Sequence, residues 1–204
     1  MNRRSAIVLA GGRSSRMGVD KAALAWGGAT MLERVLAELA RSFDDLVVVA
    51  GPCQGAAASS LCGVTARLVW DSQAFEGPVT ALRLGLATVH AEVAFACACD
   101  LPFVNATLAF ALCEMATDHD AAIPLVHGRL QGLHAAYRKS CLPALESMIG
   151  CGARKLQDLA PLLDARIVTE DELRSHDPEL LSFLNVNTPE DYAQALGLAK
   201  KPVR

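Results

Sequence analysis

Three kinds of feature are scarce or missing in this chain of 204 residues. The net charge is only −3, and no block of Lys or Arg is long enough to form a nucleic-acid-binding patch. The apolar run near the start, Ala6 to Ala10, is five residues long and ends at two glycines. Such a run is too short for a signal core or a membrane span. We therefore expect a cytoplasmic protein that binds neither nucleic acid nor membrane.

The cysteines form no metal-binding pattern. There are seven, an odd number, and none has the C-x-x-C or Cys/His spacing of a zinc site. Cys97 and Cys99 alternate in an apolar run and should share one face of a strand. We interpret the cysteines as small buried hydrophobes in a reducing compartment, with a redox pair as the open alternative.

The composition is that of one globular domain. Hydrophobic residues make up 52% of the chain and charged residues 20%, which excludes a disordered protein. The length fits one domain, residues 1–204, better than two.

Short apolar runs alternate with amphipathic stretches in the first half of the chain, a pattern that predicts a doubly wound α/β sheet with buried parallel strands. Ligands bind such sheets at the carboxyl ends of the strands. The predicted strands are Ala6–Ala10, Leu46–Ala50, Ala66–Trp70 and Val93–Cys99, and the predicted helices are Thr30–Arg41, Pro78–His90 and Phe103–Met115.

The second half of the chain is less regular. We predict short strands at Ala121–Pro124, Leu133–Tyr137 and Arg166–Val168, and helices at Ser140–Met148, Lys155–Leu159 and from Thr188 onward. Thr188 is placed to cap the last helix, and Pro189 stands at its first position.

A glycine-rich segment with spaced cations follows the first predicted strand. It reads Leu9-Ala10-Gly11-Gly12-Arg13-Ser14-Ser15-Arg16-Met17-Gly18-Val19-Asp20-Lys21. Glycines let backbone N–H groups approach phosphate oxygens, and Arg16 and Lys21 can neutralise a triphosphate. The spacing matches neither a Walker A loop nor G-x-G-x-x-G. A tight turn with exposed charges would explain the glycines but not two cations at the ligand edge of a sheet.

Further motifs follow this segment in order: Asp71, Glu76-Gly77-Pro78, Cys99-Asp100-Leu101-Pro102, Gln131-Gly132-Leu133-His134-Ala135 and Asn185-Val186-Asn187-Thr188-Pro189. Together they resemble the molybdenum cofactor guanylyltransferases and their MobA-like relatives. The resemblance implies a Rossmann-like three-layer α/β/α fold with a mostly parallel central sheet. It also implies a nucleotide-binding N-terminal half and an acceptor-binding C-terminal half.

The resemblance assigns the chemistry to three side chains, Arg16, Lys21 and Asp100. Asp100 follows a strand directly, and a carboxylate there suits Mg²⁺, which prefers carboxylate, phosphate and water oxygens. We therefore expect Asp100 to bind the metal; the alternative from the residues alone is a cap on the following helix.

The nucleotide-binding residues that the resemblance implies are Leu9, Ala10, Gly11, Gly12, Lys21, Asp71, Gly77 and Asp100. Asp71 can accept hydrogen bonds from a guanine or a ribose, or it can be an exposed turn residue. Leu9-Ala10-Gly11-Gly12 favours GTP, since cytidylyl relatives carry Leu-Ala-Ala-Gly. Ala81 departs from the family's Leu-Ala-Gly after Gly77-Pro78, which keeps CTP open.

The acceptor-binding candidates are His134, Arg154, Lys155, Asn185 and Asn187. His134 is equally well explained as a structural residue of a strand. Asn185 and Asn187 alternate around Val186, so they should face different ways. The acceptor implied is a molybdopterin-type cofactor whose terminal phosphate is already anionic and needs positioning more than a base.

The resemblance predicts transfer of GMP from GTP to this phosphate, with release of pyrophosphate. Molybdoenzyme apoproteins or their chaperones are candidate partners. Three alternatives stay open: cytidylyl transfer from CTP, transfer to a sugar phosphate, and a cofactor-delivery protein without chemistry.

Overall fold

The apolar runs form the strands of a central sheet in the computed structural model, which describes residues 4–11, 21–51, 64–71 and 77–199. The strands are β1 (Ser5–Leu9), β2 (Ala25–Trp26), β3 (Ala29–Thr30), β4 (Asp45–Ala50), β5 (Arg67–Trp70), β6 (Val93–Ala98), β7 (Ala121–Val126), β8 (Arg129–Leu130), β9 (His134–Arg138) and β10 (Ala165–Val168). The α-helices are α1 (Met31–Leu39), α2 (Pro78–Thr88), α3 (Ala106–Met115), α4 (Leu142–Gly150), α5 (Glu170–Arg174) and α6 (Pro189–Ala199).

The sheet is mostly parallel, as predicted. Its strand order is β10-β7-β9-β6-β1-β4-β5, and β8 pairs with β7 outside this path. Along the path, β9 runs antiparallel to both of its neighbours, β6 and β7, and the other pairs are parallel. Strands β2 and β3 form a separate small hairpin.

Hydrogen bonds continue past the strand ends and align the residues that follow them. The Ala10 N–H donates to the Val49 carbonyl at 2.9 Å, and the Cys99 N–H donates to the Leu9 carbonyl at 3.0 Å. The Asp71 N–H donates to the Ala50 carbonyl at 2.9 Å. The segments that follow β1, β5 and β6 therefore lie at one edge of the sheet. Because β9 is antiparallel, it begins at this same edge, with His134 paired to Cys97.

Helices cover both faces of the sheet, which confirms the three-layer prediction. One face packs against α1 and α3 through residues such as Val8, Val48 and Phe95, and the other packs against α2 and α4 through residues such as Ile7 and Val49. Strands β1 and β4 are buried on both faces, which explains why every residue after Ser5 in β1 and after Asp45 in β4 is apolar.

Side-chain caps set where the helices begin. The predicted capping box of α1 is present: the Glu33 N–H donates to Thr30 Oγ1, and the Thr30 N–H donates to Glu33 Oε2. Thr188 Oγ1 accepts from the Asp191 N–H at the start of α6, as expected. Helix α3 starts three residues later than predicted, because Asn105 Oδ1 accepts from the N–H groups of Thr107 and Leu108.

Some elements of the second half differ from the prediction. The predicted helix Lys155–Leu159 is a 3₁₀ turn, Leu156–Asp158, followed by a second 3₁₀ turn, Ala160–Leu162. Helix α5, strand β8 and the β2–β3 hairpin were not predicted. They are two to five residues long, too short to show a hydrophobic period.

A small apolar cluster joins α6 and the residues just before it to the segment that follows Lys21. Trp26 and Met31 pack with Val186 and Ala195, and Tyr192 of α6 donates through its hydroxyl to the Ala25 carbonyl. Helix α6 thereby holds the segment before it against the residues around Lys21.

The interpretation of the cysteines as buried hydrophobes is confirmed for Cys97, Cys99, Cys113 and Cys141. Cys97 and Cys99 lie in the same face of the core, and burial raises the thiol pKa of Cys97 and Cys113. Cys151, which directly follows the end of α4, is exposed. Cys53 and Cys62 lie outside the described residues. None of the described helices has the length and apolar character that a membrane crossing needs.

Candidate active site

The Lys21 side chain contacts two residues from distant parts of the chain. Its Nζ donates to Asp100 Oδ2 at 3.1 Å and to Asn187 Oδ1 at 2.7 Å. The Lys21 and Asp100 side chains are only 20% and 18% exposed, so this ion pair is partly shielded from solvent. The structure thus brings together two predicted catalytic residues at the predicted edge of the sheet.

Backbone contacts fix Asp100. It comes directly after Cys99, whose N–H is bonded to β1, and the Asp100 carbonyl accepts from the Val186 N–H at 2.9 Å. Helix α3 is capped by Asn105 instead. The alternative that Asp100 caps this helix is therefore wrong, and its carboxylate is available to the site.

Lys21 begins a 3₁₀ turn that ends at Ala23, and Ala22 is buried beneath it. The Leu24 N–H donates back to the Lys21 carbonyl, and the Leu24 carbonyl accepts from the Met31 N–H. These contacts attach the Lys21 backbone to the start of α1.

The two asparagines of the Asn-Val-Asn motif make different contacts, although both lie beside Asp100. Val186 is buried in the apolar cluster, Asn187 contacts Lys21, and Asn185 lines a cavity. Asp191 Oδ2 accepts from the N–H groups of Asn187 and Thr188, and these bonds lower the Asp191 pKa, with Lys21 as a lesser cause. Asn187 therefore lies beside the Lys21–Asp100 pair; a direct contact with the acceptor stays a prediction.

A cavity of about 140 Å³ lies beside Asp100. Its polar lining is Asp100, Gln131, His134 and Asn185, and its apolar lining includes Leu101, Leu133 and Phe183. It lies where β6 ends and β9 begins, so the sheet brings two of the sequence motifs to one hollow.

His134 is the unusual member of this lining. It is 1% exposed, and neither ring nitrogen has a hydrogen-bond partner among the residues that the structure describes. Its ring lies 5.0 Å from the Phe95 ring and 4.4 Å from the Phe183 ring, between centroids. Burial lowers the His134 pKa to about 3, so the imidazole is neutral.

Gly77 brings the two halves of the chain together. Its φ of +97° is one that residues with a side chain rarely adopt, and a Cβ there would lie 3.2 Å from Arg154 Cβ and 3.3 Å from the Arg154 carbonyl. Arg154 and Lys155 are both exposed. The predicted nucleotide-binding Gly77 and the predicted acceptor-binding Arg154 are thus neighbours.

The remaining candidates are placed only in part. Asp71 is half-buried at the end of β5, Leu9 and Ala10 are buried, and Gly11 is exposed. Gly12 and Arg16 lie outside the described residues. Their predicted contacts with the nucleotide stay predictions.

The residues around Lys21 suit a hard cation. No group of three or more His, Cys, Asp and Glu side chains that could hold a metal occurs within the described ranges. Asp100 Oδ2 and Asn187 Oδ1 nevertheless converge on one cationic group, the Lys21 ammonium. One carboxylate with neighbouring neutral oxygens fits Mg²⁺, which takes its remaining ligands from phosphates and water.

Two residues of the site were not identified from the sequence. The first is Phe183, whose ring packs on His134. The second is Asp177, whose carboxylate accepts from the N–H of Ser182, the residue before Phe183, at 2.8 Å and from the Ser182 hydroxyl at 2.6 Å. Asp177 belongs to a Ser-His-Asp-Pro segment that is typical of a turn. Nothing in that pattern indicates that its carboxylate binds Ser182 and so positions the neighbouring Phe183.

Known proteins match both the sequence and the fold. The family model described as "MobA-like NTP transferase domain" matches residues 6–167. A "Probable molybdenum cofactor guanylyltransferase" of Methanosarcina mazei is 40% identical over 212 aligned positions, covering 98% of this chain and 93% of that protein.

Solved structures agree with this match. Molybdopterin-guanine dinucleotide biosynthesis protein A from Archaeoglobus fulgidus has a TM-score of 0.82 at 30% identity, covering 96% of this chain and 98% of its own. The 2-C-methyl-D-erythritol 4-phosphate cytidylyltransferase from Thermus thermophilus has a TM-score of 0.71 at 21% identity, covering 98% and 100%, and shares the fold alone. The described motif residues lie at one edge of the sheet, and both the family model and the relatives match most of the chain. The chain therefore belongs to the MobA-like NTP transferases, a family of nucleotidyltransferases.

Proposed function

We propose that this protein transfers GMP from GTP to the terminal phosphate of the molybdenum–molybdopterin cofactor and releases pyrophosphate. The observation that carries the proposal is the contact of Lys21 with Asp100 and Asn187 at the carboxyl edge of the sheet. The names of the similar proteins support the same donor and acceptor.

The reaction needs charge neutralisation and alignment more than a strong base. An oxygen of the acceptor phosphate attacks the α-phosphorus of GTP, the bond to the β-phosphate oxygen breaks, and pyrophosphate leaves. Lys21 and Arg16 would neutralise the triphosphate, while the backbone from Leu9 to Gly12 would hold its oxygens.

Asp100 would hold Mg²⁺ together with phosphate oxygens of the nucleotide. When bound, this ion would stabilise the negative charge that develops on the transferred phosphoryl group. Lys21 donates to the same carboxylate, so Asp100 would interact with the ammonium group and with the metal at the same time.

The two substrates would lie on either side of Asp100. Strands β1 and β5, which precede Gly11 and Asp71, are on one side of β6 in the sheet, and β9 with His134 is on the other. We place GTP over β1, β4 and β5, with Asp71 on its base or ribose and Gly77 near its phosphates. The acceptor would lie over β9, near Asn185, Arg154 and Lys155.

Calorimetric titration with GTP, CTP and ATP, each with Mg²⁺, tests the donor. Selective binding of GTP is the expected result. A preference for CTP would overturn the guanine assignment and favour cytidylyl transfer, which Ala81 keeps open. If no triphosphate bound, the cofactor-delivery alternative would replace the enzyme.

A further inference from the structure

The start of helix α6 is a capping box with an additional hydrogen bond. Thr188 Oγ1 accepts from the Asp191 N–H at 3.1 Å, and Asp191 Oδ2 accepts from the Thr188 N–H at 2.9 Å. The same Oδ2 also accepts from the Asn187 N–H at 3.0 Å, one residue before the cap. The side-chain oxygen of Asn187 binds the Lys21 ammonium. The Asp191 carboxylate therefore holds the backbone of a residue that contacts Lys21.

Helices α1 and α5 begin with capping boxes in which the carboxylate belongs to a glutamate. Glu33 Oε2 accepts from the N–H of the capping Thr30 at 2.6 Å. Glu172 Oε2 accepts from the N–H and the hydroxyl of the capping Thr169, at 2.9 and 2.8 Å. A glutamate can therefore secure a cap in this protein, so the capping of α6 does not by itself explain the bond from an aspartate to Asn187.

Helix α6 is itself attached to the segment that follows Lys21. The Tyr192 hydroxyl donates to the Ala25 carbonyl, and the Tyr192 ring packs edge-on against the Trp26 ring, with the centroids 6.3 Å apart. Asp191 directly precedes Tyr192 in the helix. These contacts fix the Asp191 backbone relative to the backbone around Lys21.

The position of the Lys21 ammonium depends on its acceptors. A lysine ammonium donates hydrogen bonds and cannot accept them, so Asn187 must present its amide oxygen to it. The lysine side chain is a flexible four-carbon stem, and its ammonium stays beside Asp100 only while its acceptors keep their places. A fixed Asn187 backbone therefore restrains the ammonium.

We propose that Asp191 is a positioning residue of the nucleotidyl transfer, which fixes Asn187 and through it holds the Lys21 ammonium where the triphosphate binds. The effect on the reaction rests on the proposed function, whereas the effect on Lys21 in the free protein does not. Because Asp191 acts through Asn187, its removal should cost no more activity than the removal of the Asn187 side chain.

Steady-state kinetics with GTP varied at saturating acceptor tests the effect on the reaction. Asp191→Ala should lower kcat/KM for GTP severalfold, and Asn187→Ala should lower it about tenfold. The double variant should be no worse than Asn187→Ala alone, since both changes break the same chain of contacts.

Asp191→Glu separates this role from helix capping. Its carboxylate is of the kind that caps α1 and α5, so the melting temperature should stay near that of wild type. The longer side chain should no longer place one oxygen on both N–H groups, and kcat/KM for GTP should fall as in Asp191→Ala. Glu172→Ala removes the equivalent carboxylate from α5 and is the matched control. It should lower the melting temperature and leave kcat/KM unchanged.

Acetylation of Lys21 in the free protein gives a measurement that needs no turnover. The Lys21 side chain is 20% exposed and donates to two acceptors, so its release should raise the rate at which acetic anhydride modifies Nζ. Mass spectrometry of the peptide that contains Lys21 measures this rate. We expect a severalfold rise in Asp191→Ala and in Asp191→Glu, and the wild-type rate in Glu172→Ala.

Additive losses of kcat/KM in the double variant would overturn the proposal, as would wild-type kcat/KM in Asp191→Glu. An acetylation rate of Lys21 that is equal in Asp191→Ala and wild type would also overturn it. If wild-type protein transferred no GMP while Asp191→Ala still raised the acetylation rate, the proposed function would be wrong. The positioning of Lys21 by Asp191 would then stand.

Discussion

Asn185 and Asn187 stand two residues apart and make different contacts in the candidate active site. Asn187 Oδ1 accepts from Lys21, whereas Asn185 lines the cavity with His134. The buried Val186 between them holds this segment beside Asp100, because its N–H donates to the Asp100 carbonyl.

Substitutions of the two asparagines should therefore have different effects on the kinetic constants. Asn187→Ala removes a hydrogen bond that holds the Lys21 ammonium, and it should lower kcat/KM for GTP about tenfold. A tenfold loss corresponds to roughly 1.4 kcal/mol of transition-state stabilisation, about what one hydrogen bond to a charged group provides. Asn185→Ala should raise KM for the acceptor severalfold and leave KM for GTP unchanged. Steady-state kinetics with each substrate varied in turn would show this, and the reverse pattern would contradict the placement.

Some of these residue contacts were predictable and others were not. Lys21 could be found because it follows a strand and a glycine-rich segment, and Asp100 because it directly follows a buried strand, a position at the ligand edge of an α/β sheet. The contact of Phe183 with His134 depends on a chain reversal with no period or motif, so only the folded chain reveals it.

At the scale of elements, a 3₁₀ turn at Leu181–Phe183 holds one wall of the cavity. The Asp177 carboxylate, 8% exposed, accepts from the N–H groups of Leu181 and Ser182 and from the Ser182 hydroxyl. These bonds fix the turn that carries Phe183.

Asp177→Ala should loosen this turn. We expect a loss of about 1–3 kcal/mol in the free energy of unfolding, because two backbone donors and a hydroxyl lose their acceptor. Acceptor KM should rise while GTP affinity stays the same. Chemical denaturation and kinetics measure both effects, with the exposed Glu179→Ala as the control. An equal loss of GTP affinity would show that the turn does not act on the acceptor side alone.

Helix α2 packs closely on the sheet through a glycine. A Cβ at Gly85 would lie 2.5 Å from Ile7 Cγ2 and 3.2 Å from Val49 Cγ2, both in the core. A side chain at this position would push the helix away from β1 and β4.

Gly85→Ala should cost about 1–3 kcal/mol in the free energy of unfolding, as expected for overpacking. Gly197→Ala in α6 makes the same change where no atom of the described residues lies within 4 Å, and it should stabilise the protein by up to about 1 kcal/mol. Denaturant titration measures the free energy of unfolding of both variants. Equal stability of the two variants would contradict the close packing.

Elements with a strong hydrophobic period were predictable, and the shorter ones were not. Strands β1, β4, β5 and β6 and helices α1 and α2 lie within one or two residues of the predicted ranges, because buried strands and capped helices leave clear patterns. The antiparallel direction of β9 was not predicted, since strand direction depends on connections that short irregular segments do not encode.

On the scale of the whole molecule, a charge network at the amino edge of the sheet supports the fold far from the proposed site. Asp45, 6% exposed, accepts hydrogen bonds from the His90 N–H, the Ser5 hydroxyl and Arg67. Burial would raise the Asp45 pKa, but these bonds and the Arg67 charge lower it to about 2.

This network should make stability depend on pH in acid. Because the folded-state pKa is below the unfolded value near 4, ionised Asp45 stabilises the fold above pH 4, and this contribution is lost as the pH falls toward 2. It is at most about 2 kcal/mol. The difference in the free energy of unfolding between wild type and Asp45→Asn should therefore shrink from pH 5 to pH 2. A constant difference would contradict the lowered pKa.

The most direct test of the account is the transfer of GMP from GTP to the purified molybdenum cofactor, measured by the formation of pyrophosphate and the guanine dinucleotide. Wild type should form both with Mg²⁺, and Asp100→Asn should lose at least about 100-fold in kcat, roughly 3 kcal/mol. Asp118→Asn, an exposed carboxylate away from the site, should react normally. Turnover by Asp100→Asn equal to that of wild type would contradict the assignment of this edge of the sheet as the active site.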